Sequence, residues 1–145
     1  MKRLLFALAL GLSSPALAQQ LPPYSPSGNF ATYITAASGN VANTNAVATL
    51  AAAVGKNTFI CGFTLTAAGA TAASVVNATV VGLITGTATY TFVAPAGATV
   101  AATPLVVTFG TCVPSSAQNT AIVVTLPALG AGNTNASVSA WGFQL

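Results

Sequence analysis

The sequence predicts an all-β fold, an antiparallel β-sandwich or jelly roll of six to eight strands. Three observations predict it. Short β-branched and aromatic runs alternate with polar residues at a period of two. Clusters of Gly, Pro and Asn separate those runs. No segment carries the sustained 3.6-residue apolar period of a long helix.

Residues 1–18, MKRLLFALALGLSSPALA, have the layout of a secretory signal peptide. Lys2 and Arg3 open it, Leu4 to Leu12 are apolar, and Ala16-Leu17-Ala18 forms a small-x-small cleavage site. Bacterial export to the exterior or the cell surface is therefore expected, with a mature chain starting at Gln19. Residues 19–29 (QQLPPYSPSGN) are rich in Pro and polar side chains and read as an extended arm. Residues 30–145 then form a single domain.

From Phe30 to Gly55 the alternation is weak and is punctuated by Gly39, Asn40, Asn43 and Asn45. The stretch Ala46 to Val54 (AVATLAAAV) fits a helix by its alanines or a strand by its length. So short a helix is marginal without packing, which favours a strand or irregular chain. Beyond Lys56 the period is clear. Phe59, Cys61, Phe63 and Leu65 alternate with Ile60, Gly62, Thr64 and Thr66, which places Cys61 on a core-facing side with Phe59 and Phe63. Core strands are expected to begin near Phe59.

Ser74 to Leu83 is a second β-branched run, and Ile84-Thr85-Gly86 supplies a tight turn. Ala88, Tyr90 and Phe92 then alternate with Thr87, Thr89 and Thr91, until Pro95-Ala96-Gly97 ends the strand. Leu105, Val107 and Phe109 resume the pattern after Pro104, and Ile122, Val124 and Leu126 form a strand stopped by Pro127. Ala136 to Leu145 is the last strand and carries Trp141 and Phe143. Val80–Phe92 and Val123–Phe143 share a strand, Leu, Gly, strand layout, which suggests two hairpins of similar design.

Composition excludes whole classes of chemistry. The chain has no Asp, Glu or His. Paired carboxylates, Ca²⁺ or Mg²⁺ cages and Ser-His-Asp triads are thereby impossible, and the commonest metal ligand is missing. No catalytic residue, metal or cofactor is expected, and the protein reads as a non-enzyme. With the signal peptide removed, Lys56 is the one charged side chain, a solvated turn lysine in GKN. A chain without a basic patch is not expected to bind nucleic acid. No apolar run of about 20 residues lies beyond the N-terminus, so no membrane partner is expected after cleavage. Two cysteines in an exported chain read as a disulfide, Cys61–Cys112, which closes a loop worth about 4 kcal/mol in the chain-entropy account.

A soluble monomer ordinarily keeps roughly a quarter to a third of its surface charged. A surface of Thr, Ser, Asn, Gln and Ala offers little repulsion between copies. Runs such as PLVVTF, AIVVTL and SVVNATVV add uncharged strand edges that assembly would cover. The expected role is a structural subunit of a fibre, filament, surface layer or virion decoration, with the protein itself as partner. Trp141, Phe143, Tyr24 and Tyr33 are the candidates for self-association or ligand stacking. The alternative is a secreted binding module or adhesin that recognises a surface glycan or another structural protein.

The stretch from KNTFICGFTLTAAGATAASVVNATVVGL through NTAIVVTLPALGAGNTNASVSAWGF resembles short, uncharged, Ala/Thr/Gly-rich β-sandwich proteins of bacteria and their phages, over about two-thirds of the chain. That resemblance implies a secreted or virion-associated role and carries no active site with it.

Overall fold

A computed structural model of the protein describes residues 30–130 and 134–145. The signal peptide and arm expected over residues 1–29, with Tyr24, lie outside the described residues. Eight strands follow in order: β1 (Thr32–Ala37), β2 (Ala46–Leu50), β3 (Thr58–Ala68), β4 (Ser74–Leu83), β5 (Gly86–Ala94), β6 (Leu105–Pro114), β7 (Ile122–Leu126) and β8 (Asn135–Gln144). They form two four-stranded antiparallel sheets, ordered β1-β8-β3-β6 and β2-β7-β4-β5. The fold is the all-β sandwich expected.

The pairings are nested. β4 pairs with β5, β3 with β6, β2 with β7 and β1 with β8. The chain is thus one long hairpin that has been rolled, so that β8 also meets β3 and β7 also meets β4. This is the strand order of a jelly roll.

Each sheet turns one face inward, and period-two alternation fills it. From the first sheet come Ile60, Phe63, Leu65, Val138 and Ala140, and from the second Ala48, Leu50, Val80, Phe92, Ile122 and Val124, all buried. Small alanines lie among large rings, which lets the two faces approach to interior packing density. Phe63 of the first sheet meets Tyr90 of the second edge to face, with centroids 5.0 Å apart.

Two expectations are corrected here. The core begins at Ala46, not near Phe59, because Ala46, Ala48 and Leu50 are fully buried. The stretch 46–54 splits into strand β2 and an irregular segment that ends in a turn at Val54–Gly55. The two similar hairpins are also not both hairpins. β4 and β5 do form one around Ile84 and Thr85, but β7 and β8 belong to different sheets. The connection after Leu126 crosses the sandwich instead of reversing along one sheet.

Candidate functional site: an aromatic row on the outer face

A single extra residue decides what the first sheet shows to solvent. In the β3–β8 register Ile60 faces Gly142 and Gly62 faces Trp141, so Cys61 is left over as a β-bulge. A bulge resets the alternation. Before it Thr58 and Ile60 point into the core, and after it Phe63, Leu65 and Ala67 do. Phe59 and Cys61 therefore stand on the outer face, both half-buried. The expectation that Phe59 and Cys61 share the core side with Phe63 is wrong for this reason.

The disulfide itself is present, with Cys61 and Cys112 sulfurs 2.04 Å apart. It clips a second irregularity. Between Ile60↔Val113 and Gly62↔Thr108, β6 spends residues 109–112 opposite the lone Cys61. The bond secures that excursion to the sheet surface.

Outer-face aromatics then line up. Tyr33 of β1 faces Phe143 of β8, Phe143 faces Phe59 of β3, and Phe59 faces Pro114 of β6. One apolar row crosses all four strands at one end of the sheet. Phe59 and Phe143 stack with centroids 4.7 Å apart and planes inclined by 13°. Phe143 is only 7% exposed although it stands outside the core cluster, whereas Tyr33 is 64% exposed. Their inward neighbours confirm the facing. Ile34 and Ala36 pack on the core, and the buried Gln144 donates its Nε2 hydrogen to Ala51 O at 2.7 Å.

Trp141 forms the next row with Thr35 and Gly62. A Cβ at Gly62 would collide with the six-membered ring of Trp141, so the indole lies over bare backbone. Only glycine admits that approach. Towards the far end of the sheet the outer face turns hydroxylic, with Ser139 exposed and Thr66 and Ser137 hydrogen-bonded at 2.7 Å.

Trp141, Phe143 and Tyr33 are thus brought together as outer-face neighbours. Tyr24 lies outside the described residues. Phe59 and Pro114 complete the row, and sequence reasoning missed both; the only sequence signal was the pair of mid-strand glycines, Gly62 and Gly142. Lys56 is half-buried and donates from Nζ to Thr32 Oγ1 at 3.3 Å, one residue from Tyr33. Among the described residues the face offers stacking, apolar burial, neutral hydrogen bonding and one ammonium donor.

The outer face of the second sheet is different. Val47, Thr125, Thr79 and Thr89 form one cross-strand row, and Val75 faces Val93 in another. Val and Thr have the same branched shape, so this face is even and uncharged. Comparison with protein-family models, curated proteins and solved structures finds no match to the chain.

Proposed function

We propose that this protein is a non-enzymatic structural subunit of an extracellular, cell-surface or virion-associated assembly, and that its copies self-associate through uncharged β surfaces. The aromatic row Tyr33–Phe143–Phe59–Pro114 carries the reading. Apolar area left in water costs about 25 cal/mol per Å². A ridge of rings held outside the core, with one ring two-thirds exposed, gains by being covered. A symmetric contact sets like residues near like, and the mature chain brings only one charged side chain to it, the Lys56 that reaches Thr32 beside Tyr33. The Cys61–Cys112 bond is compatible with an oxidising, extracellular destination.

Light scattering on the exported protein tests this. The wild type should be multimeric and Tyr33→Asp should shift it toward monomer, while at concentrations where both are monomeric their melting curves should nearly coincide, because the exposed Tyr33 contributes little to the core. A wild type that stays monomeric at high concentration refutes the proposal.

A second reading has its own observation. The indole of Trp141, seated over Gly62 beside the exposed Thr35 and Ser139, is a flat ring with neutral hydrogen-bonding neighbours, as an uncharged glycan would need. Titration with neutral oligosaccharides, followed by tryptophan fluorescence in the wild type and by binding calorimetry in both the wild type and Trp141→Ala, separates the two.

A further inference from the structure

We propose that the free edge of β5 pairs antiparallel with β5 of a second copy, about a two-fold axis at Tyr90, so that two β2-β7-β4-β5 sheets become one sheet of eight strands. The inference rests on the self-association reading but assigns it a separate surface and a specific register.

The sandwich has four edge strands, β1, β6, β2 and β5. Exposed edges are templates for pairing with another chain, and proteins blunt them by shortness, bulges, proline or charge. β2 has five residues and β1 six. β6 is long, but its 109–112 excursion and disulfide interrupt it, and Pro114 ends it without an N–H. β5 has nine residues, GTATYTFVA, with no proline and no charge. Its register with β4 runs unbroken from Ser74↔Ala94 to Val80↔Ala88. Among the described residues β5 is paired in the sheet with β4 alone. It is the one long edge without protection.

The sequence of β5 suits pairing with itself. Around Tyr90 the two-fold sets Thr89 opposite Thr91 of the second copy and Thr87 opposite Val93, on the solvent side. Thr–Thr pairs across strands are favourable, and Thr and Val are matched in shape. On the inner side Ala88 comes opposite Phe92, small against large. A two-fold contact is self-complementary, and an uncharged strand meets its own copy without repulsion.

A second, independent feature lies beside the same edge. A groove of about 430 Å³ opens between Thr91, Phe92 and Val93 of β5 and the segment carrying Ala101, Pro104 and Leu105. Strand addition takes affinity from backbone hydrogen bonds and specificity from a recess that receives alternate side chains. In this register the added strand lays the small Ala88, opposite Phe92, beside the groove, so the groove leaves room for the second copy to approach without a clash.

Two double variants test the register. Thr89 and Thr91 are both exposed, so neither change disturbs the core. In Thr89→Lys/Thr91→Lys each copy sets a lysine against a lysine. In Thr89→Lys/Thr91→Glu each lysine meets a glutamate. Sedimentation equilibrium in low-salt buffer should show association weakened by about tenfold or more in the first variant, since like charges directly opposite destabilise a pair. The second variant should associate about as the wild type does, and high salt should restore association in the first variant by screening its lysines. At a concentration where all three proteins are monomeric, unfolding curves of both should lie close to the wild type, since the only described hydrogen bond the changes remove is the long one from Thr91 to Asn77. If the wild type associates but the two variants behave alike, β5 is not the contact and the assembly reading survives. If the wild type never associates, both fall.

Discussion

The bulge at Cys61 makes a prediction that plain alternation reverses. Ile60 is fully buried in the core, whereas Phe59 is half-buried on the outer face and stacked on Phe143. Truncating a buried isoleucine to alanine loses the transfer energy of its methyl groups and leaves a cavity. For a site with neighbours on every side that is about 3–4 kcal/mol. Phe59→Ala loses a stacking contact worth about 1 kcal/mol and some partly covered area, for a total of about 1–2 kcal/mol. In a domain of this size each kcal/mol moves Tm by roughly 4 °C, so Ile60→Ala should melt about 12–16 °C below wild type and Phe59→Ala only about 4–8 °C below. Urea unfolding with the disulfide intact, at a concentration where wild type and both variants are monomeric by light scattering, measures both differences free of the association that Phe59→Ala would itself alter. Without the bulge the order would invert: Phe59 would be the core ring and Ile60 a surface residue. If Phe59→Ala proves the more damaging change, the facing of the first sheet is wrong and the aromatic row falls with it.

Mass spectrometry should show two hydrogens fewer in the unreduced protein, and Cys61→Ser/Cys112→Ser should cost about 2–4 kcal/mol of stability, because the bond closes a long loop of the unfolded chain; quantitative alkylation under native conditions would contradict this. Stability should be nearly flat between about pH 4 and pH 7. With no Asp, Glu or His, and the chain termini aside, folded and unfolded states bind equal numbers of protons there, so the slope of stability against pH is close to zero. A steep fall in Tm through pH 4 would be inconsistent with that.

The sheets were legible where punctuation marks them. Ser74–Leu83 is bounded by turn residues, Pro95 closes β5 and Pro127 closes β7, and those strands stand where the sequence places them. What was not legible depends on pairing between distant residues. A bulge adds one residue and leaves no mark on composition, so Cys61 and Phe59 read as core positions until the partner strand is known. The segment after Leu126 carries the same Gly and Asn turn residues as a hairpin loop, yet it crosses between sheets. Trp141, Tyr33 and Phe143 were recognisable as aromatics in need of cover. The row through Tyr33 and Phe143 was not, because its other two members, Phe59 and Pro114, join it only across strands.

The nested pairing also bears on how the chain reaches this state. β4 and β5 are separated by two residues, while β1 and β8 join Thr32 to Gln144. Each pairing brings the ends of the next within reach, so the entropy of closing the longest loop is met in instalments instead of at once. Such an order favours nucleation at the Ile84–Thr85 turn and growth outward, on the slow timescale of topologies rich in distant contacts. The Cys61–Cys112 bond sits in the second ring of that nest. Its oxidation records the moment when the inner four strands have formed and the outer four, with Tyr33 and Phe143 of the aromatic row, are still to dock.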